Sequence, residues 1–158
     1  MSQPNKHLAQ LNVGRLRYPK EDPRVAGFVD NLDRVNALAE RSEGFVWRLK
    51  DKSGNAMSIR AFEDPTLIPN LSVWTSAEAL EQFVWQTIHK QFYGRRTEWF
   101  EASRETHNVM WWIPADHIPT LEEADERLRH IQKFGPTEFA FGWDRAPGAK
   151  LWSTAQCA

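Results

Sequence analysis

Four short runs in which apolar and polar residues alternate are separated by two longer runs with a helical period, in the order strand, helix, strand, strand, helix, strand. That order leaves few folds available, because it is the split β-α-β arrangement in which an antiparallel sheet carries its two helices on one face. The alternating runs are His7 to Tyr18, Phe45 to Leu49, Asn70 to Trp74 and Thr106 to Ile113, with a further short strand read over Met57 to Phe62. Prolines in PTLIPN interrupt pairing before Asn70. The first helix opens on Asp22 as cap with Pro23 behind it and runs to about Glu40, burying Val25, Phe28, Val29, Leu32, Val35 and Ala39.

The second helix begins near Ser76, where Thr75 and Glu78 have capping-box spacing. Leu80, Phe83, Val84 and Ile88 form its stripe for burial, while Trp85, His89, Phe92 and Arg96 gather on the opposite side. A helix that only shields a sheet shows charge there. Two readings stand for this second side: a C-terminal segment or second subunit packs on it, or it lines a pocket centred on His89. A third helix starts at Thr120 and Glu123, buries Leu121, Ala124, Leu128 and Ile131, and stops at Gly135-Pro136. A short last strand over Phe139 to Trp143 follows, at a sheet edge or across a partner.

Alternation divides each strand into two sets. The apolar sets, Leu11/Val13, Phe45/Trp47/Leu49, Leu71/Val73 and Val109/Trp111/Ile113, are expected under the two helices of the split motif. The mixed sets, Gln10/Asn12, Arg48, Ser72/Trp74 and Met110/Trp112, are expected to face away and meet a partner sheet or a ligand. The expected class is therefore α+β, a ferredoxin-like antiparallel sheet with helices on one face plus an appended C-terminal helix. One domain is expected over residues 1–143, with a loose tail over 144–158.

Composition narrows the partners. The chain has 20 Lys plus Arg against 21 acidic residues, so its net charge of −1 favours neither nucleic acid nor an anionic membrane. No segment is long and apolar enough to span a bilayer, and the first residues lack a signal-peptide layout, so a cytoplasmic location is expected. Cys157 is the only cysteine, which excludes an internal disulfide and a multi-cysteine metal site. The 8 Trp residues suit an aromatic-lined cavity or a large interface as well as a core.

The motifs LAQLNVGRLRYP, DPRVAGFVDNLDRVNALAERSEGFVWRL, NLSVWTSAEALEQFVW, HKQFYGRRTEWF and VMWWIPADHIPTLEEADERL resemble a bacterial family of unknown function among the dimeric α+β-barrel proteins, over about residues 7 to 134. The wider superfamily includes antibiotic-biosynthesis and haem-degrading monooxygenases. The resemblance implies a barrel shared by two subunits with a cavity between sheet and helices, without implying one reaction. Haem-degrading members use an Asn on the first strand, an aromatic on the second helix and a His further along as axial ligand. Asn12 is similar to the first and Phe83 or Trp85 to the second, while His89 arrives about one helical turn earlier than that pattern places it.

Together these features point to a homodimer that binds a planar or aromatic small molecule, monooxygenase-like if it is an enzyme. His89 and Asn12 are the candidate catalytic residues, and Trp74, Trp85, Phe92, Arg96 and Trp112 the candidate substrate contacts. Arg96 is the preferred contact for an acid group. The cofactor reading is none or haem, with His89 as the iron ligand in the second case. The competing class is a non-catalytic ligand-binding or interaction protein.

Overall fold

The computed structural model describes residues 5–50, 67–86, 95–101 and 106–146. Its antiparallel sheet contains β1 (Lys6–Arg15), β2 (Phe45–Arg48), β3 (Leu67–Trp74) and β4 (Asn108–Pro114), in the order β2-β3-β1-β4. The helices are α1 (Ala26–Val29), α2 (Leu32–Glu40), α3 (Ala77–Gln86), α4 (Arg96–Trp99) and α5 (Leu121–Phe134). This is the expected ferredoxin-like α+β arrangement. The strand read over Met57 to Phe62 lies outside the described residues.

Pairing register sorts the strand residues onto two faces, because directly opposed residues in an antiparallel ladder point the same way. Ala9 lies opposite Val73 and Trp111, and Leu11 opposite Leu71 and Val109. This aliphatic face packs on Leu121, Ala124, Leu128 and Ile131 of α5, the appended helix. The other face packs Leu8, Trp74 and Met110 on Ala39 of α2 and on Leu80 and Phe83 of α3. The expected assignment of faces is thus inverted: the mixed set lies beneath the split-motif helices, and the most apolar set beneath α5. Alternation defines two faces but carries no label for the helix that covers each, and the stripe of α5 is apolar enough to claim the better one.

Local chemistry accounts for other departures. The helix expected from Asp22 to Glu40 is broken into a 3-10 turn (Pro23–Val25), α1 and α2. Asp22 still caps it, accepting the Arg24 N–H at 2.8 Å. The break at Asp30 and Asn31 lets Val25 and Phe28 join a small cluster with Leu16, Ile68 and Trp99, while Val35 and Leu38 pack on the cluster around Trp74. Ser76, rather than Thr75, caps α3 by accepting the Ala79 N–H at 3.1 Å. Thr120 caps α5 as expected, accepting the Glu123 N–H at 3.1 Å, and Gly135 ends it at φ 77°, where a side chain would be strained.

Pro69 does not interrupt β3. Its partner Val13 sends its N–H to His107 O on the other side at 2.9 Å, so the pair needs no donor from residue 69. Phe141 forms an isolated bridge with Met110 through two backbone bonds of 2.7 and 2.9 Å, where a short last strand was expected.

Candidate functional site

The side of the sheet that faces α2 and α3 can be read rung by rung. The first rung, Phe45, Trp74, Leu8 and Trp112, is aromatic and aliphatic. The next, Arg48, Ser72, Gln10 and Met110, is mostly polar. The third is a row of carboxamides across three strands: Asn70 on β3, Asn12 on β1 and Asn108 on β4. Beyond it, Gly14 pairs with Ile68.

The rungs differ in how completely they are filled. Trp74 is held between Phe45, edge-on at 5.5 Å, and Phe83, stacked at 5.4 Å. Ser72 Oγ accepts from both Gln10 Nε2 at 2.8 Å and Trp74 Nε1 at 2.9 Å, and Ser72 and Gln10 are 6% and 7% exposed. Arg48 is largely buried and pairs with Glu40 at 3.5 Å. At the far end, the Phe100 ring lies on Gly14 so closely that a Cβ there would meet it at 2.6 Å. Phe28 braces Phe100 edge-on at 4.9 Å.

Between these filled rungs the amide row is open at its Asn70 end. Asn70 is exposed, and Asn12 and Asn108 are half-buried. The Asn108 carboxamide oxygen is itself buried and accepts no hydrogen bond. An orphaned buried acceptor of this kind costs about 1 to 3 kcal/mol. His7 Nδ1 and Arg127 Nε, on the side facing α5, are also buried and unbonded, so what marks the Asn108 oxygen is its place in a row of three carboxamides.

The structure brings Asn12, Trp74 and Trp112 onto one face, but Asn12 stands four residues along β1 from the rung that holds both tryptophans, about 13 Å away. Trp74 is a packed residue whose indole N–H is satisfied by Ser72. Trp112 is half-buried against Phe141, with ring centres 6.3 Å apart. Trp85 is buried against Trp143 at 6.2 Å, so a C-terminal segment covers this part of α3. Arg96 is exposed on α4. His89 and Phe92 lie outside the described residues.

Asn70, Asn108, Gln10, Ser72 and Phe100 were not singled out as site residues from the sequence. The parity of each strand places the first four on the mixed face, but their common height depends on register. A closing aromatic from the α4 segment has no local signature.

The same side offers little to a metal or a haem iron. Among the described residues no cluster of three or more His, Cys, Asp or Glu side chains is placed to hold a metal ion. His7 lies opposite Ile113 on the aliphatic face, His117 contacts Glu123 at 2.6 Å, and His130 contacts Thr137 at 3.0 Å. The fourth described histidine, His107, is exposed just before β4, and His89, the axial ligand expected from the sequence, lies outside the described residues.

Sheet order, antiparallel pairing and helical layers define an α+β protein of the ferredoxin-like class. Within that class, the chain belongs to the family described as "Domain of unknown function (DUF3291)", whose model matches residues 7–157. Among solved structures it is similar to a conserved protein from Methanosarcina mazei Go1, with TM-score 0.50 and 12% identity over 70% of this chain and 93% of that one. It is also similar to SnoaB, a cofactor-independent oxygenase from Streptomyces nogalater, with TM-score 0.45 and 15% identity over 72% of this chain and 96% of that one. A protein of unknown function from Nitrosomonas europaea gives TM-score 0.47 and 12% identity, over 75% and 99% of the two chains. At these identities the likeness concerns fold alone. No curated protein matches the chain. Among the described residues no helix is long and apolar enough to cross a membrane.

Proposed function

We propose that this protein binds a planar or aromatic small molecule on the side of its sheet that faces α2 and α3, with the ligand's polar edge on Asn12, Asn70 and Asn108. The observation that carries this reading is the open amide row between two filled rungs, with the Asn108 carboxamide oxygen buried and unbonded. Carboxamides orient a ligand through paired donors and acceptors without bringing a buried charge. The catalytic form of the reading is monooxygenase-like chemistry, with Asn12 orienting the substrate and His89 acting as base. The same row serves a non-catalytic binding protein equally well, and the engagement of Trp74 and Trp85 in packing favours that form.

A homodimer belongs to this proposal. Its contact would lie outside the mixed face, which α2 and α3 cover, and outside the aliphatic face, which α5 covers. Light scattering on the purified protein measures the assembly state.

Calorimetric titration of 2-naphthol, a neutral planar ring whose hydroxyl both donates and accepts, into the protein and into Asn12→Ala tests the binding claim. Affinity that drops in the variant supports it, and equal affinity removes it. Haem binding is tested separately by adding haemin and following the Soret band in the natural protein and in His89→Ala. A shift that depends on His89 supports the haem form, and an unchanged band removes it.

A further inference from the structure

Resting on the site proposed above, the geometry points to the class of ligand: a single ring or fused pair that stands edge-on to the sheet and presents an uncharged edge carrying both a donor and an acceptor. Three features of the amide row converge on it.

The first is size. The row crosses three neighbouring strands, about 10 Å from Asn70 to Asn108 at the usual strand spacing. Along the strands its neighbours are the buried Gln10–Ser72 rung on one side and the Phe100 ring over Gly14 on the other. Each lies one alternate residue away, about 7 Å. A mono- or bicyclic ring on edge fits between them. A larger fused system laid flat would have to displace Phe100, which Phe28 braces, or Gln10, which is bonded to Ser72.

The second is charge. Among the described residues, the charged side chain on these rungs is Arg48, already paired with Glu40 at 3.5 Å. A ligand carboxylate resting on the amides would lose hydration with no cation opposite it among the described residues.

The third is hydrogen-bond sense. Each carboxamide offers N–H donors and a carbonyl acceptor, and the Asn108 oxygen is an acceptor with no donor. A ligand N–H or O–H entering from the exposed Asn70 side would satisfy it after a rotation about the soft final torsion of the Asn108 side chain. A neighbouring ligand carbonyl would then accept from Asn12. A lactam or a hydroxy-ketone edge has this alternation.

The test uses the full chain labelled with 15N and three probes: 2-quinolone, a neutral fused lactam; quinoline-2-carboxylate, its charged counterpart; and haemin. The expected result is that 2-quinolone moves the side-chain NH2 signals of Asn12, Asn70 and Asn108, and that affinity falls at least about tenfold in Asn12→Leu/Asn108→Leu. Quinoline-2-carboxylate should bind at least about tenfold more weakly than 2-quinolone. Should the double variant not fold, Asn12→Ser, which keeps a small polar group on the strand, takes its place with the same expected direction. If the carboxylate or haemin moves the same signals and binds as tightly as 2-quinolone or more tightly, the ligand class is overturned while the binding site stands. If no probe moves these signals, or affinity survives loss of the amides, both the ligand class and the site fall.

Discussion

The two faces of one sheet are built to different standards. On the α5 side, Ala9, Leu11, Val109 and Trp111 are fully buried. Trp111 Nε1 donates there to Glu123 Oε2 at 2.8 Å, and Glu123 also meets His117, while His7 Nδ1 and Arg127 Nε are buried without a hydrogen bond at the edges of that side. On the side facing α2 and α3, packing is equally tight around Trp74 but gives way within two rungs to carboxamides, one with an orphaned oxygen. Orphaned atoms therefore occur on both sides, and what sets the second side apart is that its orphan stands in a row of three carboxamides that reaches the surface at Asn70.

Substitutions on each face sharpen or break that contrast. Trp111→Ala should have the largest effect, losing about 3 to 5 kcal/mol through the cavity it leaves in the aliphatic face. For a domain of ordinary stability that is a large share of the whole, and a urea melt would show it. A loss below about 1 kcal/mol would mean that this face is not the stabilising one.

Ser72→Ala comes next, at about 1 to 3 kcal/mol, because it leaves the buried Gln10 and Trp74 N–H groups without their shared acceptor. It should also weaken binding of a neutral ring by loosening Gln10 beside the amide row. A variant as stable as the natural protein would show that the polar rung is not held as described.

The smallest effect is expected away from both faces, at Asp22. Hydrogen bonds from the Arg24 side chain, then from its backbone N–H, lower the Asp22 pKa to about 2. A carboxyl whose folded pKa lies below its unfolded value stabilises the fold above the unfolded value, 3.8, and loses that contribution as pH falls toward 2. The difference in melting temperature between the natural protein and Asp22→Asn should shrink over that window. It should remain small throughout, because solvent screens the pair, and ligand affinity should not change.

Much of this architecture was legible in the residues. Strand alternation, the Asp22-Pro23 opening and the Thr120 cap reported the element order, because each acts over a few neighbours. The inversion of the two faces was not legible, since Leu121, Ala124, Leu128 and Ile131 make the same kind of stripe as a split-motif helix. Pro69 looked like a strand breaker because its harmlessness depends on where Val13 sends its N–H. The site was half legible. Asn12 stood out for its place on a strand, whereas its alignment with Asn70 and Asn108 is a fact of register between segments far apart in sequence. His89 and Phe92, the residues on which the sequence placed most weight, lie outside the described residues.

The central claim is that the Asn108 oxygen is kept at a cost for a ligand. The most direct measurement is the unfolding free energy of Asn108→Leu, which keeps the branching and heavy-atom count of the side chain and has no orphaned acceptor. The account predicts a variant more stable than the natural protein by about 1 kcal/mol or more in the absence of ligand. A variant less stable than the natural protein would show that Asn108 belongs to the structural framework, and would contradict the account.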